Sequence, residues 1–114
     1  MAFITEKQLD GCKYSYSLSP NLKKFTLKDV TFAETQRGNF EFSRLLEEVP
    51  NSGSGFVLKI IINPELSGFK LSITDKSGLR NVNIFKTASE IIQEKFYFQM
   101  DTFVDREIFV KKEA

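Results

Sequence analysis

Three short runs in the second half of the chain carry an apolar residue at every second position, and they constrain the fold more than any other feature. They span residues 56–62, 69–74 and 81–85. Alternation with a period of two is typical of strands, because successive side chains point to opposite faces of a sheet. The runs are separated by Asn63–Gly68 and Asp75–Gly78, which are rich in turn-forming residues. The sequence therefore predicts two consecutive hairpins, that is, an antiparallel meander with one apolar face.

One strand register makes the inner face of this meander uniformly apolar. It places Ile62 beside Phe69 and Thr74 beside Asn81. A slip by one residue would turn the apolar side chains outward, so the burial of one face favours this register strongly. The inner pairs that follow from it are Leu71 with Ile84 and Ile73 with Val82.

The stretch from Thr87 to about Ile108 is predicted to be the helix that covers this apolar face. Residues 87–90 read Thr-Ala-Ser-Glu, a capping box in which the side chains of Thr87 and Glu90 each accept from the backbone N–H of the other. Neither Gly nor Pro interrupts the stretch. Apolar residues recur with helical spacing and form the predicted core face, with three more at its margin: Ile92, Phe96, Met100 and Phe103, then Tyr97, Val104 and Ile108.

The first half of the chain contributes further strands and a short helix. Residues 14–18 alternate as a half-buried strand, and residues 40–46 form another after the Gly38–Asn39 turn. Between these strands, helix start signals predict a short helix somewhere between Pro20 and Phe32.

The predicted fold class is α+β. It consists of an antiparallel sheet of about five strands, one short helix, and the long C-terminal helix packed on one face, in the order β-α-β4-α. The same order is known from TATA-binding-protein-like folds, an analogy that concerns the fold alone. The chain has 114 residues and contains no repeat or linker, so one domain spanning residues 1–114 is expected.

The composition argues against several classes of function. The chain has no His and one Cys, so the commonest general base and metal ligand are missing, and we expect no catalytic residue, metal or cofactor. The net charge is +1 and the two signs are evenly spread, which disfavours a nucleic-acid partner. Because the N-terminus lacks a signal-peptide pattern and no apolar run could span a bilayer, we expect a cytoplasmic protein without a membrane partner.

Cys12 is the one candidate nucleophile. It lies between Gly11 and Lys13 in the sequence, and a nearby ammonium favours a thiolate, which would suit a reactive thiol or a persulfide acceptor. The alternative is a small apolar filler at the start of a strand. A free Cys is more often buried and inert, which favours this second interpretation.

The glycine-rich loop Ser52–Gly55 could hold an anion with its backbone N–H groups. A phosphate-binding loop of the P-loop type requires a strand before it and a helix after it. This loop leads into a strand instead, so a flexible connector is favoured.

The polar face of the predicted meander carries a second group of candidate residues. Lys59, Lys70, Asn83 and Phe85 share this face, and Arg44 is expected nearby. Cations beside an aromatic ring resemble a sheet surface that binds phosphate and stacks bases. Lysines on a solvated strand face are the commoner interpretation in antiparallel sheets.

Two apolar residues of the long helix fall outside its core face. At 100° per residue, Ile91 and Phe98 lie on the far side of the helix among charged residues. This stripe is either covered by the N-terminal part of the same chain or used to contact another subunit.

Four segments carry a resemblance to a known family: Leu18–Pro20, Gly38–Phe40, Leu66–Lys70 and Val82–Phe85. Over nearly its whole length the chain resembles a small family of proteins from lactic-acid bacteria and their relatives. The resemblance implies a TATA-binding-protein-like fold and, from the label of the family, a part in amino acid metabolism. It brings no catalytic residues.

We therefore expect a non-catalytic binding or regulatory module that forms a homodimer or binds another protein through Ile91 and Phe98. One alternative is a small-molecule binder or accessory protein of amino acid or sulfur metabolism. Its site would be a pocket between helix and sheet, or Cys12. A second alternative is nucleic-acid binding through the open sheet face.

Overall fold

A computed structural model gives the structure of the chain and describes residues 3–49 and 55–113. The predicted loop Ser52–Gly55 lies, except for its last residue, outside the described residues. The elements are β1 (Glu6–Lys7), β2 (Tyr14–Leu18), α1 (Lys24–Asp29), β3 (Ala33–Glu34), β4 (Phe40–Leu46), β5 (Phe56–Ile62), β6 (Phe69–Asp75), α2 (Ile84–Thr87), α3 (Glu90–Asp105) and β7 (Phe109–Glu113).

The predicted hairpin of β5 and β6 is present and has the predicted register. These strands belong to a four-stranded antiparallel sheet of order β3-β4-β5-β6, in which Ile62 pairs with Phe69. Alternate side chains of β5 turn inward and are fully buried, namely Leu58, Ile60 and Ile62. The periodicity of the sequence therefore identified the core face of this sheet correctly.

The third predicted strand joins the sheet through one residue pair only. Asn81 forms the predicted bridge with Thr74, and the Val82 N–H donates to the carbonyl of Ile73 at 2.9 Å. The chain then leaves the sheet, so the predicted strand over residues 81–85 is wrong.

A side-chain cap turns this segment into a helix. Oδ1 of Asn83 accepts a hydrogen bond from the Phe85 N–H at 2.9 Å, and α2 begins at Ile84. Asn is one of the preferred N-cap residues because its side chain satisfies an N–H of the first turn. Ile84 is consequently buried as part of a helix, and the predicted pairing of Ile84 with Leu71 across a ladder is wrong.

The long helix α3 begins later than predicted. Thr87 is the last residue of α2, and its hydroxyl donates to the carbonyl of Asn83 at 2.9 Å, so the predicted capping box at Thr87 is wrong. The residue before α3 is Ser89, which makes no side-chain capping bond. The predicted core face of the helix is confirmed, because all four of its residues are buried: Ile92, Phe96, Met100 and Phe103.

The helix also ends earlier than the predicted end at about Ile108. Glu107 has a φ of +59°, the left-handed conformation that reverses the chain after a helix. The Ile108 N–H donates to the carbonyl of Phe103 at 2.9 Å, and the Glu107 N–H donates to that of Val104 at 3.0 Å. These are the two bonds of a Schellman motif, and they direct the chain into β7.

Sequence reasoning did not predict β7. This strand pairs with β2, and β1 pairs with β2 on the other side, so a second antiparallel sheet has the order β1-β2-β7. The predicted single sheet of about five strands is therefore divided into a four-stranded and a three-stranded sheet. Only the first two residues of β7, Phe109 and Val110, are apolar. The rest of the strand has no apolar residue at alternate positions, so the sequence shows no strand pattern there.

The first half of the chain contains the three predicted elements and, in addition, the two-residue strands β1 and β3, which were not predicted. The strands β2 and β4 are present, and α1 lies between Pro20 and Phe32 as expected. Phe40 and Phe42 of β4 are buried. The turn before β4 is closed by a hydrogen bond from the Thr35 N–H to the carbonyl of Asn39 at 2.8 Å.

The core face of α3 packs against both sheets through aromatic rings. The ring of Phe103 lies 5.0 Å from that of Phe42 in the four-stranded sheet and 6.3 Å from that of Phe109 in the three-stranded sheet. Phe96 lies 6.3 Å from Tyr16. The α+β class with a long helix covering sheet is thus confirmed. No helix in the described part of the chain has the length and hydropathy needed to cross a membrane.

Candidate functional site

The far side of α3 carries an apolar stripe that the described residues leave open. Ile91 is 45 % exposed and Phe98 is 69 % exposed. Lys95 lies between them on the same side of the helix, and its ammonium donates to the carbonyl of Glu47, just after β4. The stripe, defined by Ile91 and Phe98, therefore runs beside the end of β4. Among the described residues, the N-terminal segment does not cover this stripe, which was one of the two predicted arrangements.

The strand β4 has an edge that is only partly paired. It pairs with β5 along its whole length, but with β3 only at Phe40 and Glu41. Since the Thr35 N–H donates to the carbonyl of Asn39, odd-numbered residues in this strand direct their backbone N–H and C=O groups toward β3. Ser43 and Leu45 continue this row past the end of β3, and no strand in the described part of the chain pairs with them there.

Arg44 lies on the helix side of the sheet and not on the outer face where it was expected. Its guanidinium donates to Oε1 of Gln99 in α3 at 2.5 Å. Gln99 is one of the few buried polar residues, with 8 % exposure. The even-numbered side chains of β4 point to the helix side, as the buried Phe42 and Leu46 show, and Arg44 is one of them. The prediction that Arg44 lies near the outer face is therefore wrong.

Two of the predicted site residues, Lys59 and Lys70, do meet on the outer face of the four-stranded sheet. They line a cleft of about 540 Å³ together with Lys7 of β1. The Lys59 ammonium lies 3.2 Å from the Glu41 carboxylate. The Lys70 ammonium lies 4.7 Å from the ring centroid of Phe3. The remaining lining residues are Ile4, Ile61, Phe69, Leu71, Ser72, Thr74, Gly78 and Asn81.

Asn83 and Phe85 lie elsewhere, so the predicted group of four is wrong as a single surface. Both line a smaller cleft of about 280 Å³ between α2 and the loop that contains Asp10. Asn83 caps α2 and also donates to the Asp10 carboxylate at 3.3 Å. The Phe85 ring contacts the rings of Phe96 at 5.6 Å and Tyr97 at 5.7 Å. It therefore packs against α3 and does not face the outer sheet surface.

Cys12 lies inside the core, with 5 % exposure. The hydroxyl of the neighbouring Tyr97 accepts from the Lys13 N–H at 3.0 Å. Burial raises the pKa of Tyr97, the bond from Lys13 lowers it, and the Cys12 thiol beside it raises it further. The Cys12 side chain is thus part of the core and lies beside the Tyr97 hydroxyl. Among the residues that the structure describes, no three His, Cys, Asp or Glu side chains come together as a metal site.

A family model, DUF1831, described as "Putative amino acid metabolism", matches residues 1–110. The chain belongs to the DUF1831 family. It is also similar to a DUF1831 family protein from Lactobacillus plantarum whose crystal structure is known. The two share 34 % sequence identity and a TM-score of 0.88, and the match covers 98 % of this chain and 99 % of the other. No curated protein matches the chain.

Membership of DUF1831 confirms the resemblance drawn from the four sequence segments. It assigns no residue of this DUF1831 protein to a reaction or a ligand. The roles of Lys59, Lys70, Ile91 and Phe98 therefore rest on their geometry.

Sequence reasoning missed two features of these surfaces. Lys7 reaches the outer cleft only because β1 lies in the second sheet, and nothing in its local sequence signals this. The free edge at Ser43 and Leu45 was also missed. The sequence did contain a signal for this free edge. The stretch between Phe32 and Gly38 is short, so a strand placed there cannot pair along all seven residues of β4.

Proposed function

We propose that this DUF1831 protein is a cytoplasmic, non-catalytic binding module that works as a homodimer through the Ile91/Phe98 stripe and the free edge of β4. The observation that supports this most directly is the 69 % exposure of Phe98 beside an unpaired strand edge. Burial of a Phe side chain contributes about 1.5–3 kcal/mol, so an aromatic ring left in water is a strong source of association energy.

Between Ser43 and Leu45 the free edge of β4 lacks the usual protection against strand pairing, and the Lys95 ammonium lies beyond this segment, at the carbonyl of Glu47. Natural edge strands are shielded by lysines, prolines, bulges or inward-pointing charges. The only charged side chain in the segment Ser43–Leu45 is Arg44, and its guanidinium is held against Gln99 on the helix side. The backbone N–H and C=O groups of Ser43 and Leu45 therefore stay accessible to another strand.

A second copy of the chain is the partner that this edge fits best. Two identical strands can pair antiparallel about a two-fold axis, so that the same surface serves both copies. An axis beside Leu45 would place Leu45 opposite Leu45 of the second copy, an apolar pair between two side chains that are each 36 % exposed in the monomer. This register avoids setting Arg44 against itself. The adjacent helices would then bring the two Ile91/Phe98 stripes toward the interface.

Sedimentation over a wide range of protein concentration tests the dimer. The wild-type chain is expected to sediment as a dimer at high concentration. Phe98→Glu and Leu45→Lys, made separately, are each expected to sediment as monomers, because both place like charges near the axis. Leu79→Lys is the matched control, since Leu79 is 86 % exposed and belongs to neither feature.

A cross-link tests the register itself. Directly opposed residues in a hydrogen-bonded strand pair have Cα atoms about 5.5 Å apart, which is within the range of a disulfide. Leu45→Cys in a Cys12→Ala background is therefore expected to oxidise to a covalent dimer, whereas Leu79→Cys in the same background is not. A wild-type chain that stays monomeric at high concentration contradicts the proposal.

The burial of Cys12 supports a packing role for this residue. The small-molecule alternative is instead supported by the outer cleft, which lies on the other side of the sheet from α3.

A further inference from the structure

We infer that the cleft on the outer face of the four-stranded sheet binds a small organic anion, with one carboxylate or phosphate group and an apolar body. The cleft is formed where β5 and β6 turn their outer side chains toward β1 and the N-terminal segment. This inference is independent of the proposed dimer, which uses α3 and the opposite edge of the same sheet.

The walls of the cleft are held in place by pairing at both ends of β6. Ile4 exchanges two backbone hydrogen bonds with Phe69, at 3.0 and 2.9 Å. At the other end, Asn81 bridges to Thr74. The N-terminal segment and the turn that contains Gly78 therefore stand on either side of the outer face of β6 as fixed walls.

The charge of the cleft selects an anion. Three lysines line it, and none of its described lining residues is acidic. Lys59 is partly neutralised by Glu41 at 3.2 Å. Lys7 and Lys70 form no ion pair within the described residues, so two ammonium groups remain without a counter-charge. An ammonium that faces a partly enclosed apolar surface attracts anions more strongly than one in open water.

The shape and remaining chemistry of the cleft select a small molecule with an apolar part. A volume of about 540 Å³ lies within the usual range for small-molecule sites. The apolar surface comes from Ile4 and Ile61, and the opposite rim carries the Ser72 hydroxyl and the Asn81 amide. Neither of these two polar groups has a side-chain hydrogen-bond partner among the described residues, so both are available to orient a ligand.

A nucleic acid fits this cleft less well than a small anion. Binding of single strands relies on open aromatic rings on which bases stack. The ring of Phe3 is occupied by the Lys70 ammonium, and Phe85 packs against α3. The net charge of +1 also gives no basic footprint beyond the cleft.

Four probes separate the contributions of charge and apolar body: phenyl phosphate, phenylacetate, the neutral phenylacetamide and inorganic phosphate. Each is titrated into the ¹⁵N-labelled full chain carrying its purification tag at the C-terminus, since the N-terminal segment borders the cleft. Phenyl phosphate or phenylacetate is expected to shift the amide signals of Ile61, Lys70, Ser72 and Asn81 in a saturable manner. Phenylacetamide and inorganic phosphate are expected to bind at least about tenfold more weakly, because each lacks one of the two required parts.

Two variants and one control variant test the residues that line the cleft. Lys7→Gln with Lys70→Gln is expected to weaken binding at least about tenfold. Lys24→Gln with Lys112→Gln removes the same charge from residues that do not line the cleft, and is expected to leave binding unchanged. Ser72→Leu keeps every charge but fills the cleft, and is expected to abolish binding. The amide spectrum of each variant shows whether it is folded.

The pattern of binding among the probes distinguishes a phosphate-bearing ligand from a carboxylate. Saturable shifts with phenyl phosphate alone identify a phosphate-bearing ligand, and shifts with phenylacetate alone identify a carboxylate. Equal binding of phenylacetamide overturns the inference, as does a Lys7/Lys70 variant that binds like the wild type. Absence of shifts with either anion, or shifts produced only by a single-stranded oligothymidylate, overturns it as well.

Discussion

The Arg44 guanidinium donates a hydrogen bond to Oε1 of Gln99 at 2.5 Å and so ties the edge strand β4 to the helix α3. Gln99 is buried, and this is the bond that its side-chain oxygen makes within the described residues. Arg44→Met is expected to lower the free energy of unfolding by about 1–3 kcal/mol, because a buried acceptor loses its charged donor. Urea denaturation at low protein concentration measures the change.

Arg37→Met is the control for Arg44→Met. Arg37 is exposed, so its replacement removes the same charge with a change below about 0.5 kcal/mol. Equal stability of the Arg44 variant and the wild type would contradict the structural role of the Arg44–Gln99 bond.

The hydroxyl of Tyr16 is buried and has no hydrogen-bond partner among the described residues. An unpaired buried polar group destabilises the folded state. Tyr16→Phe removes only this hydroxyl and is expected to raise the free energy of unfolding by about 1 kcal/mol. Tyr14→Phe is the matched control, because Tyr14 is only partly buried. A destabilised Tyr16→Phe variant would show that the hydroxyl has a partner.

The same hydroxyl predicts how stability depends on alkaline pH. Burial raises the pKa of Tyr16 well above its usual range, with smaller increases from nearby Cys12 and Asp101. Above about pH 10 the unfolded chain loses the phenol proton while the folded chain keeps it, so the folded state binds more protons and stability falls as pH rises. Tyr16→Phe is expected to make this alkaline loss shallower. Urea denaturation of both proteins at about pH 8 and about pH 11 measures the loss of unfolding free energy between the two pH values. An equal loss in the wild type and the variant would refute the prediction.

The elements that could be predicted are those in which periodicity and burial agree. The register of Ile62 with Phe69 followed from apolar alternation, and the core face around Phe96 followed from helical spacing. In both cases one face of the element is buried, so the positions of the apolar residues in the sequence are the positions whose burial stabilises the fold.

The elements that could not be predicted depend on competition between local signals. Thr87 was predicted to start the helix and Asn83 to lie in a strand, but the Asx cap at Asn83 formed α2 in place of a third full strand. β7 exists because Glu107 reverses the chain, which lets Phe109 reach the core and pair beside β2. A Glu in the left-handed conformation has no sequence signal, since Gly and Asn are the usual residues there.

The left-handed backbone conformation of Glu107 strains the turn that follows α3. Its φ of +59° is unfavourable for a residue with a Cβ atom and costs nothing for Gly. Glu107→Gly is expected to raise the free energy of unfolding by about 0.5–1 kcal/mol, because relief of strain outweighs the greater freedom of the unfolded chain. Glu94→Gly, in the interior of α3, is the control and is expected to lower stability by about 1 kcal/mol. A loss of stability in both variants would mean that the Glu107 side chain stabilises the turn.

The burial of Cys12 predicts an inert thiol in the folded protein. With 5 % of the residue exposed, a disulfide reagent can reach the sulfur only when the region between Leu9 and Lys13 opens. Modification is therefore expected to be slow in buffer, to accelerate in urea in proportion to the unfolded fraction, and to give one modified thiol per chain. Leu79→Cys in a Cys12→Ala background supplies the exposed reference, since Leu79 is 86 % exposed. If Cys12 in the folded chain reacts as fast as this reference thiol, a chemical role for Cys12 replaces the packing role.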